Sequence, residues 1–177
     1  MKQSLKVVAV AIVLLLLGSV AFVYSGVYNV AATNEDSAVV RWLLHTTRER
    51  SIDYRAEGIP SPRPAVLSDP ETLGTGFRHY DEMCVACHGA PGKDPAELRE
   101  GLNPQPPLLA EEAEDVSLQE LFWVIKHGIK MTGMPAWGVT HSDDDIWAIA
   151  AFVKKLPEYS AQDYEAMRRQ TVDSHRH

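Results

Sequence analysis

The sequence predicts an all-α protein in which one long apolar helix precedes a small helical domain. Residues 7–23 are apolar apart from Gly18 and Ser19. The later segments place apolar residues at helical spacing between helix-start and helix-stop signals. None of them alternates apolar and polar residues convincingly over the length of a strand. These observations together favour helices and loops throughout.

The apolar segment is predicted to anchor the chain in a membrane. At about 1.5 Å per residue, residues 7–23 give a helix of about 26 Å, close to the thickness of a hydrocarbon core. Lys2 and Lys6 precede it and no acidic residue occurs before Glu35, so the N-terminus is expected to stay inside. Residues 1–28 are therefore predicted to be a single-pass anchor in the inner membrane, with the rest of the chain in the periplasm. A cleaved signal peptide is the alternative, although the apolar run is long and no Ala-x-Ala site follows it closely.

Residues 29–67 are predicted to link the anchor to the domain. Val39, Trp42 and Leu43 recur at helical spacing and predict a short amphipathic helix. This helix could lie on the membrane surface or dock on the following domain. Residues 59–64 read Ile-Pro-Ser-Pro-Arg-Pro and predict a stiff, extended spacer, because each proline biases its predecessor away from helix.

Residues 68–158 are predicted to form the domain. Its first helix begins at Asp69, which is followed by a proline and an acid, and runs to about Met83. A capping box begins the second helix at Ser117, and three aspartates follow Ser142 at the start of the third. The loops between these helices are long, and the first of them is rich in proline.

Gly76 in the first helix predicts a close approach between two helices, because a glycine in mid-helix is otherwise unfavourable. Trp147 in the third helix is expected to fill that space. Residues 159–177 are polar and are predicted to form a C-terminal tail, either helical or frayed.

The acidic residues are concentrated in the predicted domain. Residues 69–158 contain 16 Asp and Glu against 7 Lys and Arg, whereas the neighbouring exported segments are balanced. Without a basic stripe to displace counterions, nucleic acid is not expected as a partner. The acidity indicates either an ordinary solvated surface or a docking face for a partner with a basic surface.

The sequence Cys84-Val85-Ala86-Cys87-His88 is a C-x-x-C-H, the pattern to which haem c is attached. Two thiols on one turn can each add to a vinyl group of the porphyrin, and the adjacent imidazole of His88 can then ligate the iron. A redox-active disulfide is the first alternative, but it requires a strand before the motif, where this sequence predicts a helix. Half of a zinc site is the second, but no matching pair of ligands follows.

A six-coordinate haem iron needs a second axial ligand. Met134 lies in the loop between the second and third helices, and Pro135 would stiffen that loop. Met131, three residues earlier, is the alternative. Ligation by histidine and methionine raises the reduction potential relative to two histidines. His127 and His141 flank the loop and are interpreted as surface or hydrogen-bonded histidines.

The segment from Gly76 to Leu156 resembles the class I c-type cytochromes, in particular the bacterial monohaem kind that is similar to a subunit of cytochrome cbb3. Four features carry the resemblance: G-x-x-x-Y-x-x-x-C-x-x-C-H-G at 76–89, Leu-Asn-Pro-Gln-Pro-Pro at 102–107, Gly-Met-Pro-Ala-Trp at 133–137, and the closing Ile-Trp-Ala helix. The resemblance implies a cytochrome c fold with crossing terminal helices, one covalent haem c, and Met134 as distal ligand. It also implies that a proline of the loop at 104–107 backs the proximal histidine.

The expected function is one-electron transfer, with no enzymatic activity. The chain would be a membrane-anchored carrier between respiratory or dehydrogenase partners on the periplasmic side. One alternative is a relay subunit of a larger membrane oxidoreductase complex. The other is a haem sensor that binds a gas or peroxide at an open iron.

Overall fold

The structure is a computed structural model that describes residues 2–174, so Met1 of the predicted anchor and residues 175–177 of the predicted tail lie outside it. The chain divides into two compact units, with the boundary in the sequence between Glu35 and Asp36. All regular structure in the described part is helical, which confirms the all-α class.

The described residues of the first unit contain one helix, α1 (Lys2–Tyr24). Its side chains are exposed and mostly apolar. By length and composition α1 could cross a membrane, a property that it shares with signal sequences. The predicted apolar N-terminal helix is therefore present.

The second unit begins with α2 and continues as a set of helices joined by long loops. Its α-helices are α2 (Ala38–Ala56), α3 (Pro64–Leu67), α4 (Pro70–Met83), α5 (Val85–His88), α6 (Leu109–Glu112), α7 (Leu118–His127), α8 (Asp143–Lys155) and α9 (Ala161–Ser174). Short 3₁₀ helices occupy Glu97–Gly101, Ala113–Asp115, Trp137–Val139 and Leu156–Glu158.

Helix α2 is the predicted amphipathic helix, and it docks on the following domain. Its C-terminal end packs against α7, where Ala56 is buried. At the other end Val39, Trp42 and Leu43 remain exposed. The predicted extended spacer is interrupted at its end, because α3 begins at Pro64. A proline is acceptable at the first position of a helix, where its missing N–H has no partner to lose.

Helices α4 and α8 cross at the centre of the domain, and Gly76 is the point of contact. A Cβ atom on Gly76 would overlap the carbonyl oxygen of Ala148 and come within 2.8 Å of Phe152 Cβ. The predicted close approach is therefore confirmed, but the prediction that Trp147 fills the space is wrong. Successive helical residues point about 100° apart, and Trp147 instead stacks on Phe122 of α7, with ring centroids 4.0 Å apart.

Both predicted helix starts after the first loop are capped as expected. Ser117 and Glu120 form a capping box at α7, and Ser142 and Asp145 form one at α8. These local hydrogen bonds satisfy backbone N–H groups that have no partner inside the helix. They determine the residues at which α7 and α8 begin. The start of α8 is also the end of the loop that joins the two helices.

The C-terminal segment forms α9, which packs on the domain. Tyr164 is 1% exposed, and its ring lies 5.2 Å from that of Phe77 in α4. The Tyr164 hydroxyl donates a hydrogen bond to Asp81 Oδ1 at 2.9 Å, and Lys93 Nζ donates to the same oxygen at 2.9 Å. Of the two forms expected for the tail, the described part is helical, and a buried tyrosine attaches it.

Replacing Ser142 with alanine is expected to lower the free energy of unfolding by about 1 kcal/mol, because α8 loses its cap. Ser142 also lowers the pKa of Asp145 by hydrogen bonding to its carboxylate. A lowered folded-state pKa stabilises the protein above the ordinary aspartate range, and this contribution is lost as the pH falls. The variant should therefore lose less stability than wild type on acidification, as measured by denaturant unfolding at pH 7 and at acid pH. Ser51→Ala, on the exposed surface of α2, is the control and should differ little from wild type at either pH.

Candidate functional site

The C-x-x-C-H motif forms one helical turn between α4 and the loop that follows. Cys84 ends α4 by donating its backbone N–H to Tyr80 O at 2.9 Å. Its own carbonyl then accepts the N–H groups of Cys87 at 3.1 Å and His88 at 2.9 Å. Residues three and four positions apart lie on the same helix face, so the two thiols and the imidazole share one face of this turn. The two thiols are not joined by a disulfide.

The end of this turn is held by Tyr80 and Gly89. Gly89 adopts φ 65°, a conformation that glycine accepts readily, and so ends α5. The buried hydroxyl of Tyr80 donates a hydrogen bond to Gly89 O at 2.7 Å. The chain direction after His88 is therefore fixed from inside the core.

His88 is oriented by the proline-rich loop. Its Nδ1 lies 2.9 Å from the carbonyl oxygen of Pro107. A carbonyl can only accept, so Nδ1 carries the proton, and Nε2 keeps its lone pair. Of the prolines at 104–107, Pro107 is thus the one whose carbonyl backs His88.

Burial favours the uncharged forms of Cys84 and His88. It raises the pKa of Cys84 to about 12, with a further contribution from Cys87. Burial also lowers the pKa of His88, an effect that the bond to Pro107 opposes. At neutral pH the site therefore presents a neutral thiol and a neutral imidazole. The imidazole is the form that binds a metal ion, whereas a zinc site would require thiolates.

Met134 lies in a loop that is packed tightly against the C-terminal end of α7. Gly128 ends α7 with φ 63°, and a Cβ atom there would lie 2.8 Å from Met134 O. Within the loop, Met134 N donates to Thr132 Oγ1 at 3.1 Å, and Ile129 N donates to Met134 O at 3.2 Å. The backbone that carries the Met134 side chain is therefore held from both sides.

The two candidate methionines differ in their surroundings. Met134 is half-buried and packs against the hydrophobic core cluster that includes Cys84 and Val85. Met131 has φ 61° and is 95% exposed. Of these two methionines, Met134 packs against the core to which the motif belongs, and Met131 does not.

The model of a family described as "Cytochrome C oxidase, cbb3-type, subunit III" matches residues 71–153. This segment is a c-type cytochrome domain. The match runs from α4 into α8 and includes the C-x-x-C-H turn, the loop to Pro107 and Met134. It bears out the resemblance to class I c-type cytochromes. No curated protein and no solved structure matches the chain.

The side chains of the cytochrome domain fit the cofactor of this family. A haem c needs two thiols that are free to form thioethers, together with a neutral imidazole that has its lone pair on the outer nitrogen. Cys84, Cys87 and His88 provide these groups on one turn. Among the described residues, no group of three or more His, Cys, Asp or Glu side chains could hold a metal ion by itself.

The histidines that flank the loop have other contacts in the cytochrome domain. His141 packs edge-on against His79, with ring centroids 5.0 Å apart, and against Trp137. His127 is exposed and lies beside Trp123. These contacts agree with their interpretation as surface or hydrogen-bonded histidines.

Sequence reasoning missed Arg99, which donates from Nε to Pro106 O at 3.0 Å. The contact joins the 3₁₀ helix Glu97–Gly101 to a carbonyl seven residues further along the chain. No local pattern marks a lone arginine as a hydrogen-bond donor to a proline carbonyl. The one available signal was that Arg99 is a rare basic residue in a strongly acidic segment of the sequence.

Proposed function

We propose that this chain is a membrane-anchored electron carrier with one covalently attached haem c and no enzymatic activity. Cys84 and Cys87 would form the thioethers, His88 would be the proximal ligand and Met134 the distal ligand. The observation that carries the proposal is the 2.9 Å contact between His88 Nδ1 and Pro107 O. It leaves the lone pair of Nε2 free to bind iron and restrains the orientation of the imidazole ring.

Met134 is proposed over Met131 as distal ligand because of its burial and its rigid backbone. A thioether that is packed against the core and held by a hydrogen-bonded loop loses little conformational entropy when it binds iron. The exposed Met131 would first have to be drawn inward.

When bound, haem c supplies an iron that accepts and releases one electron. The protein's part is to keep its ligands in place during this change. The Cys84–His88 turn is fixed by Tyr80 and Gly89, and His88 is fixed by Pro107. Ligands held in this way support electron transfer with little rearrangement.

We also propose that α1 stays in the inner membrane, with the cytochrome domain in the periplasm. The support is the length and apolar character of α1 and the two lysines that precede its apolar core. An anchored carrier is confined near its membrane partners, which raises its effective concentration there.

A cleaved signal peptide would instead leave the mature protein soluble. Membrane fractionation of the mature protein, with its N-terminus sequenced, distinguishes the two.

The acidic residues of the domain support a redox partner with a basic docking face.

A second candidate function is an internal electron relay in a larger complex. The family description, which names a subunit of an oxidase, favours it. Gentle solubilisation followed by sizing of the haem-stained band separates the candidates, because a carrier migrates alone and a relay subunit migrates with its complex.

A haem sensor would require an open iron. Carbon monoxide should not bind rapidly to the ferrous protein if Met134 ligates the iron. Rapid binding to the resting ferrous form would contradict the carrier and favour the sensor.

Covalent attachment is tested by denaturing the purified protein. In a host that matures c-type cytochromes, the denatured chain should keep its haem pigment through gel electrophoresis. A Cys84→Ser/Cys87→Ser double variant should lose the pigment, whereas each single variant retains one thioether. A colourless wild-type chain from such a host would overturn the proposed function.

A further inference from the structure

A second polar contact lies directly behind the bond between His88 and Pro107. Arg99 is in the 3₁₀ helix Glu97–Gly101, and its Nε donates to the carbonyl oxygen of Pro106 at 3.0 Å. Pro106 immediately precedes Pro107. The carbonyl held by Arg99 and the carbonyl that accepts from His88 therefore belong to neighbouring residues.

The segment from Pro104 to Pro107 has few means of holding itself in place. Three of its four residues are prolines, which have no backbone N–H to donate. It belongs to no helix in the structure. Its carbonyl groups can only be fixed by donors from elsewhere, and Arg99 is such a donor.

The 3₁₀ helix that carries Arg99 is itself tied to the motif. The backbone N–H of Ala96, at its start, donates to Ala86 O in α5 at 2.9 Å. Three hydrogen bonds therefore connect α5, the 3₁₀ helix and the proline-rich segment, and the last of them returns to His88 at the end of α5. Removing Arg99 breaks the hydrogen bond to Pro106, the residue next to the carbonyl that orients the imidazole.

Arg99 also places a positive charge close to His88. Its side chain is 16% exposed, and Glu100, 3.6 Å from Nη1, is 74% exposed. Such a distant and solvated partner neutralises the charge weakly. Because the guanidinium binds the carbonyl next to the one that accepts from His88, its charge lies near the imidazole. A neighbouring cation favours the less positive ferrous iron over the ferric form.

We propose that Arg99 is a positioning residue that holds the Pro107 carbonyl against His88 and, through its charge, raises the reduction potential of the haem. This inference rests on the proposed function, because it assumes a haem ligated by His88. It concerns a residue outside the motif and makes two separable claims, one about geometry and one about charge.

The test compares Arg99→Gln, Arg99→Lys and the control Glu100→Gln in the haem-loaded, full-length protein. Two quantities are measured: the reduction potential by equilibrium titration, and the exchange rate of the His88 Nδ1 proton in the ferrous form by NMR. Glutamine removes the charge and the long donor. Lysine keeps the charge but lacks the planar, multiply donating guanidinium.

Arg99→Gln should shift the redox equilibrium about tenfold toward the ferric form, which for one electron is 59 mV. It should also speed exchange of the Nδ1 proton by about tenfold, as expected for a hydrogen bond of ordinary strength. Arg99→Lys should speed exchange by a similar factor while leaving the potential nearly unchanged. Glu100→Gln should change neither quantity appreciably.

Wild-type values of both quantities in Arg99→Gln would overturn the inference. If Arg99→Gln fails to retain haem, Arg99→Lys decides, and an unchanged exchange rate in that variant overturns the positioning role. A wild-type chain without covalent haem would overturn the proposed function as well. A haem-loaded wild type with an unresponsive Arg99 overturns only this inference.

Discussion

Replacing Gly76 with alanine is expected to destabilise the cytochrome domain by about 3 kcal/mol or more, at or beyond the upper end of overpacking penalties. The added Cβ would overlap the carbonyl oxygen of Ala148, a backbone atom of α8 that cannot rotate aside. Relief requires separation of α4 and α8, which cross at the centre of the domain. Since small domains are stable by only about 5–15 kcal/mol, we expect a large fall in the midpoint of denaturant unfolding and a lower yield of haem-loaded protein.

Gly74 provides a matched control on the same helix. A Cβ atom at Gly74 would meet no atom within 4 Å, so Gly74→Ala should be stabilising by roughly 0.5–1 kcal/mol through helix propensity alone. The two substitutions are chemically identical and differ in their surroundings. Equal stabilities of the two variants would contradict the close contact between α4 and α8 at Gly76.

Replacing Met134 with alanine is expected to abolish the Fe–S charge-transfer band of the ferric protein. The reduction potential should fall by on the order of 0.1 V or more, because axial ligands set haem potentials over a range of about 0.8 V. A thioether is a poor donor to ferric iron, so loss of the proposed ligand would remove a preference for the ferrous form. Absorption spectroscopy and a redox titration measure the two effects.

Met131→Ala is the control for this prediction. Met131 is 95% exposed, so its truncation should leave the charge-transfer band and the potential unchanged. If the band instead persists in Met134→Ala and disappears in Met131→Ala, the ligand assignment must be exchanged. Rapid binding of carbon monoxide to ferrous Met134→Ala, but not to ferrous wild type, would agree with an opened coordination position.

The features that could be predicted from the sequence are those that local chemistry determines. Helices α4, α7 and α8 begin where Asp69, Ser117 and Ser142 predict, since a capping residue acts on backbone groups within one turn. The close approach at Gly76 was predictable for a similar reason, because a mid-helix glycine is unfavourable unless packing uses it.

The features that could not be predicted depend on contacts between distant segments. The partner of Gly76 is set by the rotation of α8 about its axis, and for this reason the expectation for Trp147 was wrong. Several prolines lie close together in this loop, and the sequence alone does not show which of them contacts His88. The structure shows that the contact is made by the carbonyl of Pro107. The roles of His88 and Met134 as iron ligands, and of the two cysteines as the sites of haem attachment, stay predictions.

The burial of Tyr164 bears on where this protein can be divided. The family match ends at residue 153, yet the Tyr164 ring lies beyond it in α9 and contacts Phe77 inside the match. Phe152 also stacks on Tyr159, with centroids 5.6 Å apart. A recombinant fragment trimmed to the family boundary would cut through this aromatic cluster and leave Phe77 and Phe152 open to water. The smallest fragment that retains the packing of the cluster extends past Tyr164.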